Sequence, residues 1–258
     1  MLKHLGFGSP AMQQQVNRPV RALPGTWYTS EGMYELERKA IFSRKWLLIT
    51  HKVRLQSPEH YLRYEAAGFQ FIVGSDGNGN IKGFHNFCKH CDNPLLSELK
   101  GTAAMFACGN HGLDSKVTKA PDYDNLSPIH IHTDYNGFVW VNLDPHKVPE
   151  IPWEKDFAGI DTQERFADFN FDEYDFDHEW EMTGDYNWKI LADNYNECYH
   201  CASTHPDLKE MADLETYSVT TGDEVILHNV RGRPGGEGEK RFKVHPTYYF
   251  PSTSMNVS

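Results

Sequence analysis

Asn86-Phe87-Cys88-Lys89-His90 and Cys108-Gly109-Asn110-His111-Gly112 decide the reading of this chain. They hold two thiol–imidazole pairs, Cys88-x-His90 and Cys108-x₂-His111, with seventeen residues (91–107) between them. A [2Fe–2S] cluster with two thiolates on one iron and two imidazoles on the other needs this donor set. The neutral imidazoles leave less negative charge on the cluster and raise its potential. Short spacing within each pair lets one tight loop deliver a sulfur to one iron and a nitrogen to the other. Two other readings stay open on spacing alone. Cys88-x₂-Cys91 with Cys108-x₂-His111 also composes a Cys₃His zinc site in which His90 is a bystander. The plainest alternative is buried cysteines beside surface histidines.

Outward from these loops the chain reads as short strands separated by turns, at Trp46–Thr50, Tyr61–Glu65, Phe69–Val73, Ile81–His85 and Phe138–Asn142. Ser75-Asp76-Gly77-Asn78-Gly79 is a hairpin signal, so a small antiparallel β domain is expected to carry both loops. Before it, residues 1–28 read as an extended arm. Ser30 then caps an amphipathic helix that is expected to run to about Ser43. After it, Pro145, Pro149 and Pro152 introduce a linker. A helix is predicted from near Asp185 to about His200. Two strands follow, Tyr217–Val230 and Arg241–Phe250, with the turn Gly232–Gly238 between them.

A second constellation lies on that helix. Glu197 and His200 are three apart and share a face if helical. His200 and His205 are five apart and converge only if the helix ends between them. Pro206 supplies the reason, because it pushes His205 out of α geometry. Two imidazoles with a carboxylate form a facial triad that leaves Fe(II) open to O₂ and substrate. Two satisfied polar histidines near a helix end are the plainer reading. Cys198-x₂-Cys201 beside them admits zinc, a redox dithiol or simple core packing.

Composition narrows the classes. The 258 residues are 39% hydrophobic and 24% charged, enough for a packed core. The formal net charge of −11 repels phosphate backbones, so nucleic acid is not an expected partner, whereas a basic electron-donor protein is compatible. No stretch of about 18 apolar residues is present, so no membrane span is expected. Met1–Gly25 lacks the apolar region of a secretory signal, and a cytoplasmic location is expected. The acid-poor start mildly favours organelle targeting, but Pro10, Pro19 and Pro24 interrupt any amphipathic helix there.

With both constellations in view, the chain from about Thr26 onward resembles the large (alpha) subunit of Rieske non-haem iron oxygenases, and is especially similar to fungal members grouped with choline monooxygenase. The resemblance implies an α+β fold. A small antiparallel β Rieske domain (45–146) would follow an N-terminal arm and helix (1–44). A linker (147–170) would lead to a partial catalytic domain of helix-grip type (171–258). It implies that Cys88, His90, Cys108 and His111 hold the [2Fe–2S] cluster and that His200 and His205 hold a mononuclear Fe(II). Glu197 matches the family's bridging carboxylate, and Asn194 and Tyr199 would support the iron ligands. Cys198 and Cys201 would then be packing or pocket-lining residues.

The implied function is the terminal oxygenase of a monooxygenase or dioxygenase, oxidising a small organic, choline-like substrate with O₂. Electrons from NAD(P)H would arrive through a separate reductase or ferredoxin, and the family assembles as a homotrimer. The alternatives are a Rieske electron carrier without catalysis and a zinc-stabilised interaction module. The chain departs from the family at Cys91-Asp92, where Arg-Gly is usual, and at Asn110 and Leu113, where aromatic residues are usual. The family's third iron ligand lies far downstream, and Asp207, Asp213 and Asp223 do not match it. A C-terminally truncated family member is therefore expected.

Overall fold

The computed structural model describes residues 22–76, 78–89, 91–102, 126–233 and 243–258. His90, Cys108, Asn110, His111, Leu113 and the segment 234–238 of the glycine-rich turn lie outside them. The chain divides into two compact units. One holds 36–184 and 249–253; the other holds the described residues up to Glu35, 185–248 and 254–258.

Two short helices, α1 (Thr26–Thr29) and α2 (Glu31–Glu37), open the described chain. Ser30 Oγ accepts a hydrogen bond from the Met33 amide at 3.3 Å, the expected N-cap interaction. Residues 26–28 correct the extended-arm reading. They form a helical turn closed by Trp27 N–H to Pro24 O (2.9 Å) and Ser30 N–H to Thr26 O (3.0 Å). Past Glu37 the helix widens to a π turn, Arg38–Phe42, in which the Ser43 amide reaches back to Arg38 O at 3.0 Å. The predicted extent to Ser43 holds, with a changed hydrogen-bond pattern. Arg38 Nε donates to Ala67 O at 2.6 Å, and its guanidinium sits 4.9 Å from the Phe69 ring centroid.

Among its described residues the 36–184 unit has seven strands: β1 (Leu47–His51), β2 (His60–Ala66), β3 (Phe69–Ser75), β4 (Ile81–His85), β5 (Lys100–Thr102), β6 (His130–Thr133) and β7 (Phe138–Asn142). They form two antiparallel sheets, ordered β1-β7-β6 and β4-β3-β2-β5. Val-, Ile- and aromatic-rich runs make these strands because branched and planar side chains pack well on a pleated surface. Phe71, Ile72, Val73, Val139, Trp140 and Val141 are fully or almost fully buried. The β3–β4 turn forms where the sequence predicts it. Asp76 Oδ1 accepts the amides of Asn78 and Asn80, each at 2.9 Å, and Gly79 takes φ +81°. Gly137, in the β6–β7 turn at φ +90°, is held to glycine by crowding as well. A Cβ there would lie 2.7 Å from Lys52 Cε and from His51 Nε2.

Residues 147–170 are more than a linker. They carry α3 (Trp153–Phe157), whose Trp153 and Phe157 are buried with ring centroids 5.8 and 4.5 Å from that of Trp140. The approach to α3 is held by Asp144, which is buried. Its carboxylate accepts the His146 amide at 3.0 Å, the His146 Nδ1–H at 2.5 Å and the Glu150 amide at 2.9 Å.

The second unit contains α4 (Trp188–Tyr195), α5 (Cys201–Thr204), α6 (Leu208–Met211) and strands β8 (Ala212–Thr221), β9 (Val225–Gly232), β10 (His245–Tyr249) and β11 (Thr253–Val257), with sheet order β11-β10-β9-β8. The predicted strand Tyr217–Val230 is in fact two. The chain reverses at Gly222-Asp223-Glu224, closed by the Gly222 amide to Val225 O at 2.7 Å. Among the described residues, no helix is long and apolar enough to cross a membrane.

Candidate metal centres

β4 delivers the chain into the first candidate loop. Cys88 is 5% exposed, and its amide donates to Asn93 O at 2.8 Å while its carbonyl accepts from Asp92 N at 2.9 Å. Asp92 takes φ +55°, a left-handed conformation that Asp tolerates better than most residues. This is the position where the family resemblance expects glycine, so the departure in sequence preserves the turn. Cys91 is half-buried on the same turn.

Asn86, 2% exposed, braces the loop from within. Its Oδ1 accepts the amides of Leu95 (3.1 Å) and Leu96 (2.9 Å), and its Nδ2 donates to Leu96 O at 2.9 Å. Its backbone amide donates to Gln70 O on β3 at 2.9 Å. Sequence reasoning quoted Asn86 within the motif but gave it no role; its only signal is an amide side chain at the mouth of a metal loop.

The second candidate centre starts at α4, whose N-cap Asn187 accepts the Lys189 amide at 3.1 Å. The helix ends at Tyr195, not at His200, so Glu197 and His200 do not meet across a helical face. A turn brings them together instead. Glu197 Oε1 hydrogen-bonds His200 Nδ1, and Glu197 Oε2 accepts the Tyr199 amide. The His200 contact holds the Glu197 carboxyl below the usual carboxylate range. It also occupies Nδ1, which leaves Nε2 as the nitrogen of this ring available to a metal. Asn194 Nδ2 lies 3.4 Å from the same Nδ1, and the Tyr199 side chain is 95% exposed. His205, with φ −120° and ψ 74°, has left α geometry ahead of Pro206 as predicted. Its ring centroid lies 5.2 Å from that of His200 in an edge-on arrangement.

Donor chemistry and proximity therefore fit two imidazole ligands of one iron. Among the described residues, no group of three His, Cys, Asp or Glu side chains gathers as a metal cage, so Asp207, Asp213 and Asp223 do not complete it. For the first centre, Cys88 is the predicted ligand on the described residues, and its buried, braced loop suits a thiolate donor to a cluster.

Cys198 and Cys201 do not simply pack; they form a disulfide, with Cα atoms 5.0 Å apart, that encloses Tyr199 and His200. The cross-link leaves neither thiol free as a zinc ligand. A cross-link closing so short a loop restricts the unfolded chain little, about 2 kcal/mol by loop-closure entropy. Reduction is accordingly expected to lower stability by no more than that amount. Urea unfolding with and without a phosphine reductant measures it, and a much larger loss would mean that the cross-link organises the whole turn.

The chain is similar to several known proteins. The family model of the ring hydroxylating alpha subunit (catalytic domain) matches residues 171–254. The carnitine monooxygenase oxygenase subunit of Acinetobacter baumannii is 25% identical, with 91% of this chain aligned to 67% of that protein. The chloroplastic choline monooxygenase of Spinacia oleracea is 25% identical over 91% of this chain and 56% of its own length. A crystal structure of a quaternary ammonium Rieske monooxygenase with a bound inhibitor superposes with a TM-score of 0.76 at 25% identity, covering 91% of this chain and 67% of that one.

In sequence, residues 171–254 match the catalytic domain of ring hydroxylating alpha subunits, and in fold and sequence the chain is similar to Rieske monooxygenases. These two relatives are named as monooxygenases of carnitine and choline, and the chain spans about two thirds of the length of the first and just over half of the second.

Proposed function

We propose that this chain is the oxygenase component of a monooxygenase that oxidises a small quaternary-ammonium compound. The observation that carries the proposal is the paired His200 and His205 imidazoles, 5.2 Å apart, with Glu197 on His200 Nδ1, inside the segment matched by the catalytic-domain model. The named substrates of its relatives support the substrate class.

In this reading Cys88, His90, Cys108 and His111 hold the cluster within a Rieske domain of about 45–146, and His200 and His205 hold the iron. Bound iron and cluster supply one-electron transfer and O₂ activation. The chain's own residues supply position. Asn86 fixes the cluster loop, Glu197 fixes the ring orientation and tautomer of His200, and Asn194 lies against the same ring. Electrons originate from NAD(P)H through a separate reductase, and the chain works as a homotrimer.

The test begins with metal analysis of the purified protein, which is expected to contain iron and acid-labile sulfide. Incubation with a reductase, NADH and carnitine, choline or glycine betaine should then consume O₂ with matching product. His200→Ala should lower that turnover by more than about a hundredfold, beyond the loss typical of groups behind the ligands, while leaving the cluster spectrum intact. One equivalent of zinc without sulfide would overturn the proposal and favour a Cys88, Cys91, Cys108, His111 zinc site. Cluster reduction without turnover on any of the three compounds would leave only an electron carrier.

A further inference from the structure

We infer that His228, on β9 and remote in sequence from both candidate centres, is a positioning residue for the turn that carries Glu197 and His200. The inference rests on the reading of His200 and His205 as iron ligands, and the geometry behind it lies wholly within the second unit.

His228 is 3% exposed and uses both ring nitrogens. Nδ1 lies 2.8 Å from the Tyr217 hydroxyl on β8, and Nε2 lies 3.0 Å from Asn196 Oδ1. The directions of these bonds follow from one another. Asn196 spends its Nδ2 on Ala192 O, the last turn of α4, at 2.8 Å. Its Oδ1 is therefore an acceptor and His228 Nε2 carries a proton, so a neutral ring accepts at Nδ1 from Tyr217. A tyrosine hydroxyl is protonated at neutral pH and can donate here, and burial pushes Tyr217 further up from its ordinary range. The result is a relay of fixed polarity, Tyr217 to His228 to Asn196 to the end of α4. In a buried setting each member is costly to leave unpaired.

The relay also explains where the helix stops. The Asn196 amide still donates to Ala192 O at 3.1 Å, but the residue itself has left the helix, and Glu197 follows directly. Tyr195, one position earlier, packs its ring 5.1 Å from that of His228 and donates its hydroxyl to Asn256 Oδ1 at 2.9 Å on β11. The helix end is thus held to the sheet on two consecutive residues. Without the His228 bond, Asn196 loses the contact that sets the starting direction of the 197–200 turn. The Glu197–His200 contact then rests on the turn alone.

The test uses the full chain with His228→Phe, which keeps a planar ring and removes both hydrogen bonds, and His228→Gln, which can restore the donor to Asn196. Two readouts are needed: hydrogen exchange of the 197–201 amides in metal-free protein, and Fe(II) affinity by chelator competition. His228→Phe is expected to speed exchange at 197–201 about tenfold and to weaken Fe(II) about 10–100-fold, the range for groups behind metal ligands. His228→Gln should recover most of both. Tyr217→Phe, which deletes one hydroxyl, should produce a smaller change of the same kind even if His228→Phe does not fold.

Unchanged exchange and affinity in His228→Phe, or in Tyr217→Phe where the former does not fold, would overturn the inference. His200→Ala in parallel separates the two claims. If it binds Fe(II) like the parent, the ligand reading fails, whereas the exchange readout in metal-free protein still reports on His228.

Discussion

Asn86→Ala is expected to destabilise the 36–184 unit by about 3 kcal/mol and, with Cys88 a cluster ligand as proposed, to lower the sulfide content of the protein. The reason is asymmetric. Asn86 side-chain atoms satisfy the Leu95 and Leu96 amides and the Leu96 carbonyl, all on the far side of the loop from Cys88. Alanine removes all three partners at once and opens a gap in a buried site. Each buried polar group left unpaired costs about 1–3 kcal/mol, although part of that is recovered when the loop relaxes toward water. That relaxation is what harms function, since a loop that opens no longer presents Cys88 in a fixed place. Asn86→Asp keeps the acceptor for both amides but loses the donor to Leu96 O, and it should fall between the two. Urea unfolding and the sulfide-to-protein ratio measure the effects. A loss below about 1 kcal/mol with full sulfide content would show that the loop is held by something else.

Asp144→Asn is expected to cost about 2–4 kcal/mol at pH 7, the range for breaking a buried charge-assisted network. Burial opposes ionisation of Asp144. The Glu150 and His146 amides and the His146 ring outweigh it and bring the carboxyl down to about 2 from near 3.8. The sign follows directly. The folded state holds the proton more weakly than the unfolded chain does, so the stabilisation is complete above about pH 4 and fades as pH falls toward 2. Its size corresponds to roughly 2 kcal/mol. Asparagine cannot imitate the carboxylate. Both oxygens accept from N–H groups, so whichever way the amide is turned its NH₂ faces another donor. Stability measured from pH 2 to 7 should therefore rise between 2 and 4 in the parent more steeply than in the variant. Parallel curves would remove Asp144 from the account.

Legibility differed by region for physical reasons. The strands Ile81–His85 and Phe138–Asn142 have the predicted bounds because apolar runs there end at strong turn residues. The Asp76–Gly79 turn was equally plain, since its side-chain bonds are local. The second unit was harder. Asn196-Glu197-Cys198-Tyr199-His200 contains no proline or glycine, and nothing in it announces that the helix is over. What holds the end is a bond from His228, 32 positions away. The reversal at Gly222-Asp223-Glu224 was missed because apolar and β-branched residues continue on both sides of it. For the candidate site, residue types and spacing drew attention to His200, His205 and Glu197, which a turn brings together, and Pro206 accounted for the backbone of His205. The disulfide and the supporting amide of Asn86 needed three dimensions, because cysteine pairing and buried amide partners leave no periodic trace.

The packing of Tyr249 has a consequence for how the polypeptide comes off the ribosome. Its ring lies edge-on to Trp140 with centroids 5.4 Å apart, and Thr253 Oγ1 donates to Leu48 O at 2.9 Å. The 36–184 unit is thus finished by residues emerging more than a hundred positions after Trp140. Until they arrive, the buried Trp140 indole is missing one wall, a stage at which chaperone capture or misassociation competes with completion. Order of synthesis and order of completion are not the same in this protein, and the two units are interlaced rather than strung in sequence.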